Sequence, residues 1–188
     1  MPTFGLVVEG TYDEAVLKEL VRKSVAGDIE VLARPCGPKG SLMNTFPGLL
    51  EEFRRAKQGE HVDKAIVIRD ANGKDPGELI QEMQGKISNR NYLFPVRLVV
   101  IFRELETWLL ADDEAISKVT SEYSGRTVPR VNESLEDILT PKERLRSLLA
   151  KAGVPYTDEV ARKIALATDI EKNKISLSGL YEVPGGSS

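Results

Sequence analysis

The stretch Lys64-Ala65-Ile66-Val67-Ile68-Arg69-Asp70-Ala71-Asn72 decides how the chain is read. Ala65 to Ile68 is an apolar run without alternation, the pattern of a central strand covered on both faces. It stops at Asp70. Ala71-Asn72-Gly73-Lys74 leads to Asp75-Pro76, an N-cap followed by proline at the first helical position, and the spacing predicts a helix to about Ile87. Upstream, Ser41 caps a helix carrying Leu42, Phe46, Leu49, Leu50 and Phe53, with Pro47 either bending it or marking its start. Before that lie the loop Pro35-Cys36-Gly37-Pro38-Lys39-Gly40, a short strand from Ile29 to Ala33, and a helix from about Tyr12 to Ala26 with Gly27 as its C-cap. The first strand runs from Thr3 to Val8. Downstream, Pro95 to Phe102 forms another strand and Trp108-Leu109-Leu110 a short helix, with Asp112 capping a further turn. Strands alternating with helices imply an α/β fold with a parallel sheet and right-handed crossovers.

The character changes after Ala111. Residues 119–134 are polar and without clear period. Thr140-Pro141-Lys142-Glu143 reads as a capping box opening a helix with Leu145, Leu148 and Leu149, closed by Gly153. Thr157-Asp158-Glu159 opens another, with Val160, Ile164 and Leu166, and the tail from Ser178 is rich in Gly, Ser and Pro. The expected organisation is an α/β core over residues 1–118 and a helical annex over residues 119–188 packed on it.

Among 188 residues there is one cysteine, Cys36, which excludes an internal disulfide and a multi-cysteine zinc site. That single thiol and the lack of a secretory signal predict a cytoplasmic protein. No apolar run approaches the ~20 residues needed to span a bilayer, so no membrane role is expected. The net charge of −3 gives no global attraction to nucleic acid, though a metal ion at an acidic site supplies positive charge locally. The lone histidine, His61, lies in a polar stretch and reads as a solvated loop residue.

In open parallel sheets ligands bind at the carboxyl ends of the strands. The first strand delivers Glu9 there, the third Asp70, and the fourth Phe102-Arg103-Glu104-Leu105-Glu106. Carboxylates gathered at one edge repel unless protonated or bridged by a cation. Oxygen donors without histidine favour Mg²⁺ or Mn²⁺ over zinc. Asp13, one helical turn beyond Glu9, either joins that edge or serves the helix dipole. Periodicity does not decide which of Glu104 and Glu106 points inward.

Val8-Glu9-Gly10-Thr11-Tyr12-Asp13-Glu14 followed by Ile68-Arg69-Asp70-Ala71-Asn72 resembles the two signature motifs of Toprim (topoisomerase–primase) domains. Those are a glutamate after the first strand and an Asp-x-Asp after a later one. Glu104-Leu105-Glu106-Thr107-Trp108-Leu109-Leu110-Ala111-Asp112 and Pro141-Lys142-Glu143-Arg144 narrow the likeness to a Toprim-like family related to the OLD (overcoming lysogenisation defect) nucleases. The resemblance implies a four-stranded parallel sheet and metal-dependent phosphodiester hydrolysis of DNA or RNA, in anti-phage defence beside a separate ATPase. Glu9 matches the glutamate that moves a proton or binds metal. Asp70 matches the first Asp of Asp-x-Asp, and Asp13 and Glu106 further acidic positions. Asn72 stands where the second Asp is expected; its amide oxygen can coordinate but brings no charge. Asp75 is either a compensating ligand or a helix cap.

The expected metal set is therefore Glu9, Asp13, Asp70, Asn72, Glu104 and Glu106 around Mg²⁺ or Mn²⁺, with Glu9 as general base or ligand. Lys39, in the loop after the second strand, is the expected phosphate contact. No Walker motif is present, so the chain itself is not expected to hydrolyse nucleotides. Tyr12 and Trp108 read as packing residues. Arg126, Arg130, Lys142, Arg144 and Arg146 alternate with acids and read as a solvated mixed-charge surface. Two alternatives remain: a non-catalytic adaptor on the same fold that binds an ATPase or nucleic acid, and a phosphatase or nucleotidyl transferase acting on a small substrate.

Overall fold

The computed structural model describes residues 1–25, 27–37, 42–55 and 61–170. Their architecture is α/β, with a four-stranded, all-parallel sheet flanked by helices. The strands are β1 (Thr3–Val8), β2 (Glu30–Pro35), β3 (Lys64–Asp70) and β4 (Val96–Ile101), in the order β2-β1-β3-β4. The inner strands β1 and β3 both carry apolar runs without alternation. Each must face a core on both sides, and successive residues do: Val7 packs into one hydrophobic cluster, Leu6 and Val8 into the other.

The crossovers place the helices. From β1, helix α1 (Thr11–Ser24) leads to β2 on one side, whereas α2 (Leu42–Arg55) carries the chain back past β1 to β3 on the other. Reversing direction with one crossover hand puts α2 and α3 (Pro76–Ile87) on the opposite face from α1. That reversal opens a crevice between the carboxyl ends of β1 and β3, where the chain leaves toward opposite faces.

The remaining helices are α4 (Glu106–Leu110), α5 (Asp113–Ser124), α6 (Pro141–Lys151) and α7 (Asp158–Ala167), with one 3₁₀ turn at Leu135–Asp137. They cover the α1 face. Leu145, Leu148, Leu149, Val160, Ala161 and Ile164 share one buried cluster with Leu6, Val8, Leu17 and Leu20. Helix α5 runs through the expected boundary at 118/119, so the annex begins within a helix capped by Asp112, whose Oδ1 accepts from the Ala115 amide at 3.2 Å. Pro47 lies inside α2 rather than at its start. Ser41, Lys39 and the tail from Ser178 lie outside the described residues. Among the described residues no helix is long and apolar enough to cross a membrane.

Two sequence expectations for the caps divide. Thr157 caps α7, its hydroxyl accepting from the Val160 amide at 3.3 Å. Thr140 makes no side-chain cap on α6, and Glu143 pairs with Arg146 at 2.6 Å instead of closing a box. The α6 N-terminus takes its acceptor from a different element: Glu104 Oε2 receives the Lys142 amide at 2.9 Å.

Candidate functional site

Glu9 and Asp70 follow directly from the strand ends. Glu9 is the first residue beyond β1 and is only 7% exposed. Asp70 is the last residue of β3, in register with Ile101 of β4. Asp13 lies in the first turn of α1, and its Oδ2 accepts from the Gly10 amide at 2.9 Å. That bond fixes the carboxylate at the helix start and on the crevice side.

Glu106 comes from the other side of the crevice. The chain turns after β4, with the Thr107 amide donating to the Glu104 carbonyl at 3.0 Å and that of Trp108 to Leu105 at 3.0 Å. The turn separates the two glutamates. Glu106 is 2% exposed and faces the crevice, while Glu104 turns to α6 and caps it. The Leu105 amide donates to the Asp70 carboxylate.

Electrostatics tie these acids together. Burial first, then the charges of Asp13, Glu106 and Glu9, hold the Asp70 carboxyl well above the usual carboxylate range. Burial, with Glu9 and Glu106 behind it, pushes Asp13 up to about 6 against the Gly10 hydrogen bond. Four carboxylates, from the end of β1 and from α1, β3 and α4, thus act on one another at the β1–β3 crevice.

The cluster has internal partners that the sequence reading missed. Lys142 Nζ stands 3.7 Å from Glu106 Oε1, so this lysine belongs to the crevice and not to a solvated surface. Its ammonium also lies 5.1 Å from the Tyr12 ring centre and 5.7 Å from that of Tyr156. The Tyr156 hydroxyl donates to Glu106. The two rings pack 5.5 Å apart, so Tyr12 is a packing residue of the site wall. Burial and the neighbouring Glu106 charge raise both phenols, which therefore stay protonated. No local pattern marks Lys142 or Tyr156, because each reaches Glu106 only through the docking of the annex.

The remaining expected residues stand differently. Asn72 is exposed, with φ +50°, and its amide donates to the Arg103 carbonyl at 3.0 Å. Arg103 is left-handed too, at φ +79°. Two non-glycine residues with left-handed backbone thus follow the ends of β3 and β4. Asp75 caps α3, accepting from the Glu78 amide at 2.8 Å. Lys39 lies outside the described residues. Trp108 is core, and His61 is exposed.

The oxygen-only donor set and its mutual repulsion suit a hard divalent cation. Among the described residues, however, no group of three His, Cys, Asp or Glu side chains is already drawn together around an ion position. The crevice offers ligands and a reason to bind a cation, with Lys142 meeting part of that demand from within. Comparison with family models, curated proteins and solved structures returned no match.

Proposed function

We propose that this chain is a metal-dependent phosphodiesterase acting on nucleic acid, a nuclease of the Toprim type. The observation that carries the reading is the coupling of Glu9, Asp13, Asp70 and Glu106 at the switch-point crevice, which together with burial raises the Asp70 and Asp13 carboxyls above their usual range. These four would hold Mg²⁺ or Mn²⁺. Bound there, the ion would supply Lewis-acid stabilisation of charge on a phosphate.

The chain's own groups supply the rest. Lys142, held near Glu106 and packed over two aromatic rings, presents a cation toward an incoming phosphate. Tyr156 orients Glu106 through its hydroxyl. Glu9, buried and paired with Arg69, would accept a proton from an attacking water. The DNA or RNA substrate, the separate ATPase partner and the defence role enter from the resemblance of the motifs.

The test is cleavage of labelled single- and double-stranded DNA and RNA with Mg²⁺, Mn²⁺ or EDTA. Metal-dependent cleavage that is lost in Asp70→Asn and Glu106→Gln supports the reading. No cleavage under any of these conditions, with both metals shown to bind, overturns it. That outcome would favour a non-catalytic adaptor, for which the 3.7 Å Lys142–Glu106 pair is the favouring observation: a resident cation lets the acidic crevice persist without metal.

A further inference from the structure

We infer that Arg69 is the receptor for a phosphoryl oxyanion at the β1–β3 crevice, on the opposite face of the sheet from Asp70. Strand alternation makes the separation. Val67 belongs to the cluster beneath α2 and α3, so Arg69, two residues on, rises from that face, while Asp70 continues the face of Ile68.

The guanidinium is incompletely partnered. The side chain is 12% exposed, and Nε stands 3.5 Å from Glu9 Oε1, an ion pair without a hydrogen bond. Nε and Nη1 are both sealed from water, and neither has an acceptor among the described residues. Arginine keeps its charge and carries five donors in a rigid planar fork. A buried fork with idle donors is costly unless a further acceptor arrives. Two oxygens of a phosphoryl group match the Nε–Nη2 edge of that fork in the bidentate manner, while Nη1 lies on its other edge. Arg69 immediately precedes Asp70, so an anion held there sits at the lip of the acidic crevice. Drawing Arg69 toward the anion also loosens its pair with Glu9, which readies that carboxylate only when substrate is present. The inference takes its ligand class from the phosphodiester reading, yet its test involves no cleavage.

The test uses the full chain, ¹⁵N-labelled and in EDTA, with the Arg69 Nε–H resonance identified by its loss in Arg69→Lys. Inorganic phosphate and the dinucleotide d(TpT) are titrated separately. A saturable shift of that resonance with either probe, and binding at least tenfold weaker in Arg69→Lys at unchanged thermal midpoint, is the expected result. A response to d(TpT) alone identifies an internal phosphodiester as the ligand; a response to both identifies the phosphoryl group whatever its source. If Arg69→Lys fails to fold, the double variant Arg69→Gln/Glu9→Gln, which removes both charges, takes its place. No saturable shift with either probe, or equal affinity in the variant, overturns the proposal. A responsive Arg69 in a protein that cleaves nothing overturns the hydrolytic reading alone; cleavage with a silent Arg69 overturns this one alone.

Discussion

Asp13 occupies an ordinary place for an acid, the first turn of a helix, yet its surroundings reverse the usual effect. A helix-start aspartate normally titrates low, favoured by amide donors and the dipole. Here burial and two neighbouring glutamates lift it to about 6. The sign follows from proton counts. A carboxylate raised in the fold binds protons that the unfolded chain has released, so its contribution falls as pH rises from about 4 through about 6. Asp13 then costs on the order of 3 kcal/mol at neutral pH, because each tenfold change in proton affinity between folded and unfolded chain is worth ~1.4 kcal/mol. Asp70 acts in the same direction. In EDTA, Asp13→Asn should therefore gain thermal stability relative to wild type between pH 5 and pH 8, and Mn²⁺ should raise the wild-type midpoint more at pH 8 than at pH 5. Parallel pH profiles for the two proteins would refute the coupling. Single residues also mark the limit of reading such a site from sequence. Glu9 and Asp70 were legible because a strand end fixes where they stand. The choice between Glu104 and Glu106 was not, since it depends on the helical phase of a five-residue helix. Lys142, Tyr156 and the idle donors of Arg69 are properties of tertiary contact and leave no local mark.

Elements show the same division between local signal and tertiary partner. The start of α6 was legible at Thr140-Pro141, but its cap was assigned to the wrong oxygen. Thr140 offers the helix no side-chain acceptor, whereas Glu104 accepts the Lys142 amide from 38 residues upstream. Thr140→Ala should then leave stability within about 0.5 kcal/mol, while Glu104→Ala should cost about 1–2 kcal/mol as a lost cap. Urea midpoints of the two variants measure the contrast, and equal losses would return the cap to Thr140. A second element-level constraint joins β1 to α2. A Cβ at Gly5 would lie 2.8 Å from Phe53 Cε2, so the ring packs directly on the strand backbone. Phe53 is 1% exposed, so its ring is held within the core. Gly5→Ala should destabilise by about 1–3 kcal/mol through overpacking, despite alanine's better strand entropy. Restoration by the double variant Gly5→Ala/Phe53→Leu would assign the loss to this contact, whereas an unchanged or higher urea midpoint for Gly5→Ala would exclude it.

The whole molecule is bound by the α1 face of the sheet, where core and annex bury their side chains together. The alternation of strands and helices made the parallel sheet legible, because a run apolar on both faces needs covering on both. What covers the second face was less legible: the annex periodicity identified helices but not the surface they dock on. The buried cluster answers that, joining Leu6 and Val8 of β1 and Leu17 of α1 to Leu148 of α6 and Ile164 of α7. Without the annex, the sides of α1 and α4 turned away from the sheet would be exposed, and their burial is what holds Lys142 and Tyr156 at Glu106. Core and annex should therefore unfold as one cooperative unit. Trp108, the sole tryptophan, lies within the joining cluster and reports its integrity, whereas far-UV circular dichroism reports all the helices. The two signals should give coincident thermal transitions. Ile164, fully buried, is the sharper probe: Ile164→Ala should cost about 2–5 kcal/mol from a side chain in the annex. That loss should lower the midpoints of both signals together, with no early helical transition. An annex that melts first, leaving the Trp108 signal in place, would mean that those sides of α1 and α4 are stable uncovered and that Lys142 can leave the crevice without unfolding the core.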